Sequence, residues 1–249
     1  MSDTPTHIDH TWLPTFTKLR MTAFGEAVIE IANDPAFDDW TFSKKIAYAI
    51  DKEVAARQER KIAKLLKQSQ SPNPAACVEE ITYHPDRSLN RESITRLASC
   101  QWITNTTNVV ILGKSSVGKT YLALALLNAV CRKEHTALFY RTDDLAAHLA
   151  VLEHTDPKRL ELTDKLTATD LLVLDDFLTT PISKDTANAL FNIIAAREHK
   201  GSTLITSQFT PEHWYESIPD KVVAESLMNR IIGNAEIINL DGPNMRIPQ

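Results

Sequence analysis

The segment from Gly113 to Thr120 has the composition and spacing of a phosphate-binding loop. Gly113 and Gly118 enclose four variable positions, and Lys119 and Thr120 follow at once. Glycines let successive backbone N–H groups face a phosphate, while the lysine neutralises its oxygens and the threonine hydroxyl ligates Mg²⁺. The pattern therefore predicts a site for a phosphorylated nucleotide with Mg²⁺. The remaining predicted nucleotide contacts are Lys114, Ser115, Ser116, Val117 and Tyr121.

A chance turn that contains glycine is the alternative explanation of this loop. It is disfavoured because the pattern lies between an apolar segment of strand length, Asn108–Leu112, and a helical segment, Lys119–Arg132. The chemistry requires this strand–loop–helix order, since the helix points its positive end at the bound phosphate.

A pair of acids, Asp175 and Asp176, ends the apolar segment that begins at Asp170. An apolar strand that ends in paired acids is the form taken by a segment that organises Mg²⁺. Asp175 would hold the Mg²⁺ shell, and Asp176 would orient or deprotonate an attacking water. Taken alone, such an ending is more commonly a capped turn. Its position after the phosphate loop favours the catalytic interpretation.

These motifs need an α/β framework to position them. From residue 108 onward, apolar bursts of strand length alternate with amphipathic helical stretches, which is typical of a mostly parallel sheet covered on both faces. Such a sheet binds its ligands at the carboxyl ends of its strands. The strand candidates are Asn108–Leu112, Ala137–Tyr140, Asp170–Leu174, Thr203–Thr206 and Ile237–Leu240. The helix candidates are Lys119–Arg132, Lys184–Glu198 and Lys221–Ile232.

The first part of the chain is predicted to be helical. Between Ser43 and Gln68, apolar residues recur at helical spacing without Gly or Pro, and Ser43 is a fair N-cap. A stretch rich in Ser, Pro, Asn and Gln follows at Gln68–Pro74. These changes predict a helical amino-terminal domain over 1–70, a linker over 71–100 and the α/β domain over 101–249.

Composition excludes several classes of protein. The 249 residues are 43 % hydrophobic and carry a net charge of -5, which excludes disordered, collagen-like and indiscriminately nucleic-acid-coating chains. Three cysteines without paired spacing indicate buried thiols in a reducing compartment. The polar amino terminus does not resemble a secretory signal, and no apolar run approaches the roughly 18 residues of a membrane helix. We expect a soluble, cytoplasmic protein without a membrane partner.

Charge is unevenly distributed along the chain. The segment from Lys44 to Lys67 contains eight basic and three acidic side chains, a net charge of +5, so the remainder carries -10. The cations in the second half of this segment recur every three to four residues and form one stripe on a helix. Such a stripe is either a solvated helix face or a footprint for an acidic partner. The residues alone favour the solvated face.

The order of further motifs resembles that of a known family. Tyr83–Leu97 precedes the phosphate loop, and Ser202–Trp214, Ala224–Ile231 and Leu240–Arg246 follow the acidic strand. This order is similar to the IstB/DnaC branch of AAA+ ATPases, and more closely to IstB, the helper ATPase encoded beside the transposase in bacterial insertion sequences. The resemblance covers nearly the whole chain, without its first dozen residues. It implies a P-loop AAA+ core that binds ATP with Mg²⁺ and has no carboxyl-terminal lid domain.

The resemblance also implies roles for polar residues after the acidic strand. Gln208 matches a polar sensor of the γ-phosphate or the attacking water, a task that Ser207 would share. Arg230 matches an arginine finger that reaches the nucleotide of the next subunit in a ring or spiral homo-oligomer. Arg246 matches a terminal arginine that senses the nucleotide. For each arginine, a solvated surface charge is the alternative.

Two positions depart from the family pattern. Asp176 stands where AAA+ ATPases usually carry Glu, and its side chain is one methylene shorter. We therefore expect altered positioning of water and slow turnover. Leu178 stands where IstB-like sequences commonly have Gly, which would change the loop without changing the chemistry.

The resemblance favours duplex DNA as the partner of the basic helix. In the initiator-like clade of AAA+ proteins, an extra helix that faces DNA lies where this chain has residues 143–162. Ordinary surface charge explains the cations in that stretch equally well, and without a base-reading motif any DNA binding would depend on shape and charge. The candidate nucleic-acid contacts are Lys44, Lys45, Arg57, Arg60, Lys61, Lys64, Lys67, Lys158 and Arg159.

The leading hypothesis is an ATP-hydrolysing helper for DNA transposition that assembles with ATP on duplex DNA and regulates a partner transposase. A DnaC-like loader of a replicative helicase is the alternative, because both would share the nucleotide site and differ in what the amino-terminal domain grasps. A nucleotide switch that binds ATP and barely hydrolyses it is a third hypothesis, supported by Asp176.

Overall fold

The structure is a computed structural model and describes residues 8–83, 88–153 and 155–245. The chain forms two compact units, Met1–Ala63 and Lys64–Gln249. Within the described ranges, every helix is too short or too polar to cross a membrane.

The first unit is helical, as predicted. Its helices are α1 (Leu13–Lys18), α2 (Thr22–Asn33) and α3 (Phe42–Gln68), of which α3 continues past the unit boundary. The expectation that Ser43 caps α3 is wrong, because the helix already includes it. The hydroxyl of Thr41 accepts from the Lys44 N–H at 3.4 Å and supplies the cap instead.

A buried carboxylate joins the helices of the first unit. Glu53 of α3 accepts from the Phe24 N–H of α2 at 3.1 Å and from Arg57 Nε at 2.7 Å. Arg57 also donates to the Arg20 carbonyl, and Arg60 lies 3.5 Å from the same carboxylate. The Arg57 guanidinium holds the pKa of Glu53 below its usual value. Two cations of the basic stripe therefore also neutralise a buried charge.

A five-stranded parallel sheet organises the second unit. Its strands are β1 (Asn108–Leu112), β2 (Ala137–Arg141), β3 (Leu171–Asp175), β4 (Ser202–Ser207) and β5 (Ala235–Asn239). They lie in the order β2-β3-β4-β1-β5, and every neighbouring pair is parallel. This arrangement confirms the predicted α/β class, with strand ends within two residues of those expected.

Helices cover both faces of the sheet. They are α4 (Arg91–Ala98), α5 (Gln101–Thr104), α6 (Lys119–Arg132), α7 (Thr142–Val151), α8 (Pro157–Ala168), α9 (Lys184–Arg197), α10 (Pro211–Ser217) and α11 (Lys221–Ile232). One apolar core lies between the sheet and α4–α6, and the other between the sheet and α7–α11. The central strands β3 and β4 are buried along their whole length, as expected of a sheet with two covered faces.

The segment predicted as a linker, 71–100, is integrated into the second unit. Its Ile94 and Leu97 are buried in the core around α6. The Asn128 side chain of α6 donates to the carbonyls of Asn73 and Ala76, each at 2.9 Å. These bonds fix Asn73 and Ala76 of the segment against α6.

The helical stretch expected within 143–162 is divided between α7 and α8. α7 ends at Val151 and α8 begins at Pro157, and the Asp156 carboxylate caps α8 by accepting from the Lys158 N–H at 2.8 Å. The Lys158 side chain is exposed. It therefore stays available for the predicted contact with phosphate.

The prediction that Arg159 contacts DNA is wrong. Its side chain is buried, and its guanidinium donates to the carbonyls of Leu149 and Leu152 at 3.0 and 2.8 Å. The other end pairs with Asp185 of α9 at 2.9 Å. Arg159 joins α7, α8 and α9, so its charge is used inside the fold.

Arg197 stabilises the amino-terminal edge of the sheet. It is 1 % exposed and donates to the carbonyls of Leu166 and Thr169, both at 2.7 Å, and to that of Ser202. Burial lowers its pKa to about 10, so it remains charged at neutral pH. One guanidinium thus satisfies carbonyls that belong to the end of α8, the loop before β3 and the start of β4.

Replacement of Arg197 by Met should lower the free energy of unfolding by about 3 kcal/mol, because buried carbonyls lose their donor. Urea denaturation followed by circular dichroism measures this change. Arg132→Met, at an exposed site on α6, is the matched control and should stay within about 0.5 kcal/mol of the parent. Equal midpoints for the two variants would contradict the structural role of Arg197.

Candidate functional site

The phosphate loop lies between β1 and α6, and its backbone explains its glycines. Gly118 adopts φ 94° immediately before α6, a conformation that L side chains rarely adopt. A Cβ at Gly113 would collide with the carbonyl oxygen of Leu240, which follows β5. Both glycines are therefore required by the fold of the loop as well as by its predicted ligand.

Lys119 is held inside the loop at the first position of α6. Its side chain is 6 % exposed, and Nζ donates to the Lys114 carbonyl at 2.8 Å. The first turn of α6 presents its backbone N–H groups in the same place. A cation and a helix amino terminus thus converge, and together they favour an anion with several oxygens.

The carboxylate of Asp175 is the centre of the site. It is 3 % exposed and accepts from the Thr120 hydroxyl, with both oxygens 3.0 Å away, and from the Thr206 hydroxyl of β4. Burial raises the pKa of Asp175; the bond from Thr206 opposes this shift, and the Asp176 charge adds to it. Because burial disfavours its negative charge, the Asp175 carboxylate would be stabilised by a nearby cation.

Asp176 follows with a left-handed backbone, φ 51°. Its N–H donates to the same Thr206 hydroxyl at 3.1 Å, so Thr206 orients both acids. One carboxylate oxygen lies 3.7 Å from a guanidinium nitrogen of Arg141, the last residue of β2. The Asp176 side chain is 38 % exposed and faces the cleft described below.

Sequence reasoning missed Thr206 and Arg141. Each lies at the carboxyl end of a strand adjacent to β3, and Arg141 is in direct register with Asp175. Both residues lie at or directly after the carboxyl end of a predicted strand, where parallel sheets bind ligands, and this position could have identified them as candidates.

Gln208 and Ser207 differ in exposure and in hydrogen bonding. Gln208 is exposed and lines the cleft, next to the carboxyl end of β4. Ser207 is fully buried, donates to the Phe177 carbonyl at 2.9 Å and accepts from Trp214 Nε1 at 3.0 Å. The expectation that Ser207 shares the sensor task is wrong, because its hydroxyl is used in packing the core.

A cleft of about 1310 Å³ connects these groups. That volume exceeds the several hundred Å³ of a typical small-molecule site. Tyr121 contributes to one wall and donates its hydroxyl to Glu80 at 3.0 Å. The Met245 N–H donates to the Ser116 carbonyl at 2.9 Å, which places the chain after β5 beside the loop. Arg246, predicted to sense the nucleotide, lies outside the described residues.

Arg230 lies within α11, and it does not line this cleft. Its Nε is 3.2 Å from Glu198, an ion pair without hydrogen-bond alignment, and its guanidinium lies 5.0 Å from the Phe191 ring centre. It lines a cavity of about 300 Å³ together with Asn108, the first residue of β1, and Thr203, the second residue of β4. The nucleotide loop is at the opposite edge of the sheet.

The predicted DNA-contacting cations of α3 keep their positions on the helix surface. Lys44, Lys61, Lys64 and Lys67 are exposed, and Lys45 is half-buried. Lys44 lies over the Trp40 ring, 3.8 Å from its centre. Arg57 and Arg60 remain largely exposed while they bind Glu53.

The chain is similar to known ATP-binding proteins over most of its length. The family model described as IstB-like ATP binding protein matches residues 14–249. The chain belongs to this family. An insertion-sequence ATP-binding protein of Sinorhizobium fredii, y4pL, is 30 % identical over 94 % of this chain and 96 % of its own length. The ATP-binding protein of insertion sequence IS1162 from Pseudomonas fluorescens is 31 % identical over 77 % of this chain and 82 % of its length.

Solved structures share the fold of this IstB-like chain. DnaI matches with a TM-score of 0.57 and 23 % identity over 68 % of this chain and 92 % of its own. The AMPPCP-bound DnaA of Aquifex aeolicus matches with a TM-score of 0.55 and 19 % identity over 70 % of this chain and 52 % of its own. The likeness confirms the AAA+ fold class.

Lys119→Ala should weaken ATP binding about 100-fold, because the loop loses the cation that faces the phosphates. Titration calorimetry measures the affinity. Lys133→Ala, which changes the exposed lysine directly after α6, is the matched control. An equal loss in both variants would contradict the specific role of Lys119.

Proposed function

We propose that this protein hydrolyses ATP with Mg²⁺ and acts as the ATPase helper of a transposase on duplex DNA. The observation that carries the proposal is the contact between the Thr120 hydroxyl and the buried Asp175 carboxylate beside Lys119. In a P-loop enzyme, groups of this kind bind the nucleotide and its metal ion.

The residues at this point fit Mg²⁺. The ion prefers oxygen ligands and keeps several waters, and the Thr120 hydroxyl and Asp175 carboxylate are oxygen donors that already lie together. Burial raises the pKa of Asp175, and a bound cation would stabilise the charged form of this carboxylate. When bound with the nucleotide, Mg²⁺ would supply neutralisation of the phosphate charge.

Asp176 and Gln208 would position the attacking water. Both line the cleft and are accessible from it. The water oxygen forms a bond to the γ-phosphorus, the bond from that phosphorus to the β–γ bridging oxygen breaks, and Asp176 accepts the proton. ADP leaves with the electron pair of the broken bond. Asp176 is one methylene shorter than the Glu that AAA+ ATPases usually carry here, so we expect it to position the water less well and turnover to be slow.

The position of Arg230 supports a finger that acts between subunits. It lies at the amino-terminal edge of the sheet, and strands of five residues separate it from the loop by about 16 Å within this chain. The chain's own Arg230 is therefore badly placed for its own nucleotide. Hydrolysis would then require a homo-oligomer in a ring or spiral.

Arg230→Ala should bind ATP nearly normally and hydrolyse it about 10³-fold more slowly, because the transition-state charge loses its partner. Phosphate release measures the rate. Lys119→Ala should also be inactive, yet an equal mixture of the two variants should regain part of the activity. In the mixture, the Lys119→Ala subunit still donates an intact Arg230. Failure of every mixture to regain activity, with both variants folded, would contradict action between subunits.

Duplex DNA is the proposed partner of the exposed lysines of α3. The relatives are named as insertion-sequence proteins, which supports a transposase as the protein partner. The cations lie on a surface that carries no base-reading motif, so the binding would be electrostatic and insensitive to sequence. The alternative, loading of a replicative helicase, would place a helicase on the same unit.

Lys61→Gln, Lys64→Gln and Lys67→Gln together should weaken duplex binding and reduce the slope of log K against log salt by about 2 to 3, since each phosphate contact contributes about 0.9. Arg57 and Arg60 are left unchanged, because both also bind Glu53. The control is the triple change of exposed lysines Lys165, Lys184 and Lys200 to Gln. Equal slopes in both triple variants would contradict DNA binding by α3.

The experiment that tests the whole proposal is the mass of the protein in solution with ATP, with and without duplex DNA. Growth of the oligomer only when both are present supports the helper function. Growth only when a replicative helicase is added supports the loader. Stable ATP binding without phosphate release would instead identify a nucleotide switch.

A further inference from the structure

The hydroxyl of Ser207 forms every hydrogen bond that its oxygen can make. It donates to the Phe177 carbonyl at 2.9 Å, and it accepts from the Trp214 indole N–H at 3.0 Å and from the Phe209 backbone N–H at 3.1 Å. A hydroxyl has one proton and two acceptor lone pairs, so this group is saturated. Ser207 and Trp214 are both fully buried, which shields these bonds from water.

The chemistry of the partners fixes the direction of these bonds. An indole N–H and a backbone N–H can only donate. Because both are directed at the Ser207 oxygen, its own proton has to point to the third partner, the Phe177 carbonyl. Trp214 therefore helps to orient the Ser207 hydroxyl and acts through it on the backbone of Phe177.

The Phe177 carbonyl belongs to the turn that carries Asp176. Asp176 and Leu178 both have a left-handed backbone, with φ 51° and 50°. L residues adopt this conformation at a cost in free energy, so the turn needs contacts that hold it. The Thr206 carbonyl accepts from the Phe177 N–H at 2.8 Å, and the Ser207 hydroxyl donates to the Phe177 carbonyl. Both backbone groups of Phe177 are thus fixed to the end of β4.

The same hydroxyl also fixes the backbone that carries Gln208. Gln208 lies between Ser207 and Phe209, and the Phe209 N–H donates to the Ser207 oxygen. Asp176 and Gln208, the two groups proposed to position the attacking water, both line the cleft. One buried hydroxyl therefore connects the two backbone segments that carry them.

Trp214 acts on these groups from outside the cleft. It lies on α10 and does not line the cleft, and its ring packs edge-on against that of Phe177, with the ring centres 5.1 Å apart. We propose that Trp214 is a positioning residue for ATP hydrolysis: its indole N–H orients the Ser207 hydroxyl, which holds Asp176 and Gln208 in the arrangement that the attacking water requires. This inference rests on the proposed ATPase function and adds to it a residue remote from the nucleotide.

The test measures ATP hydrolysis and nucleotide binding in Trp214→Phe, which removes the N–H donor and keeps an aromatic ring beside Phe177. The kcat, measured by phosphate release, should fall about tenfold, because Asp176 and Gln208 are less precisely placed. The affinity for a non-hydrolysable ATP analogue with Mg²⁺, measured by titration calorimetry, should stay nearly unchanged, because the phosphate loop belongs to a different segment of the chain.

Trp102→Phe is the matched control. Trp102 is also buried, and its indole N–H donates to the Leu97 carbonyl at 2.8 Å, in the core on the other face of the sheet. Its replacement removes a buried indole bond of the same kind, so the urea midpoint should fall to a similar extent in both variants. The kcat of Trp102→Phe should equal that of the parent. A merely structural role of Trp214 would give the two variants the same kcat.

Ser207→Ala removes the hydroxyl through which Trp214 is proposed to act. The kcat of this variant should fall at least as far as that of Trp214→Phe, with analogue affinity again retained. Adding Trp214→Phe to Ser207→Ala should lower kcat little further, because the two changes break the same connection. An equal fractional loss from Trp214→Phe in the parent and in Ser207→Ala would contradict transmission through the hydroxyl.

Outcomes for this inference and for the proposed function are separable. An unchanged kcat in Trp214→Phe, or a kcat equal to that of Trp102→Phe, overturns the positioning role and leaves the proposed ATPase function in place. Parent protein that binds ATP without releasing phosphate overturns the proposed hydrolysis and this inference with it. If Trp214→Phe fails to fold, Ser207→Ala decides: a kcat equal to that of the parent overturns the role.

Discussion

The hydrogen bonds that converge on the Asp175 carboxylate are the constraint on which the site depends. Thr120 approaches it from the phosphate loop and helix α6, and Thr206 approaches it from β4. Three separate parts of the chain are thus held at one buried charge. The same Thr206 hydroxyl accepts from the Asp176 N–H. Thr206 therefore fixes both the acid proposed to hold the metal and the acid proposed to position water.

The two edges of the sheet have different tasks. At the carboxyl edge, the buried Asp175, the half-exposed Asp176 and Lys119 line a cleft, an arrangement typical of a functional site. At the amino edge, the Arg197 guanidinium satisfies carbonyls from three segments and stabilises the fold. Arg230 lies at this second edge, with 32 % of its side chain exposed. The structure therefore separates nucleotide binding from the surface proposed to complete a neighbour's site.

Local patterns predicted the phosphate loop, the acidic end of β3, the parallel sheet and, to within one residue, the bounds of α3, α6, α9 and α11, because each depends on spacing within a few residues. What depended on register or packing was not predicted. Thr206 and Arg141 acquire their roles only when β2 and β4 lie beside β3. Arg159 resembled a surface cation in sequence, yet it is buried because α7, α8 and α9 meet around it. The hydroxyl of Ser207 is likewise engaged by the Trp214 indole N–H, a contact that the local sequence does not predict.

The central claim is that one subunit completes the nucleotide site of another. The most direct measurement is ATP hydrolysis per subunit as protein concentration is raised, with the mass of the species recorded by sedimentation at each point. The account predicts that activity per subunit is near zero for the monomer, rises as larger species form, and then levels off. Activity per subunit that stays constant across concentrations where only monomer sediments would contradict it.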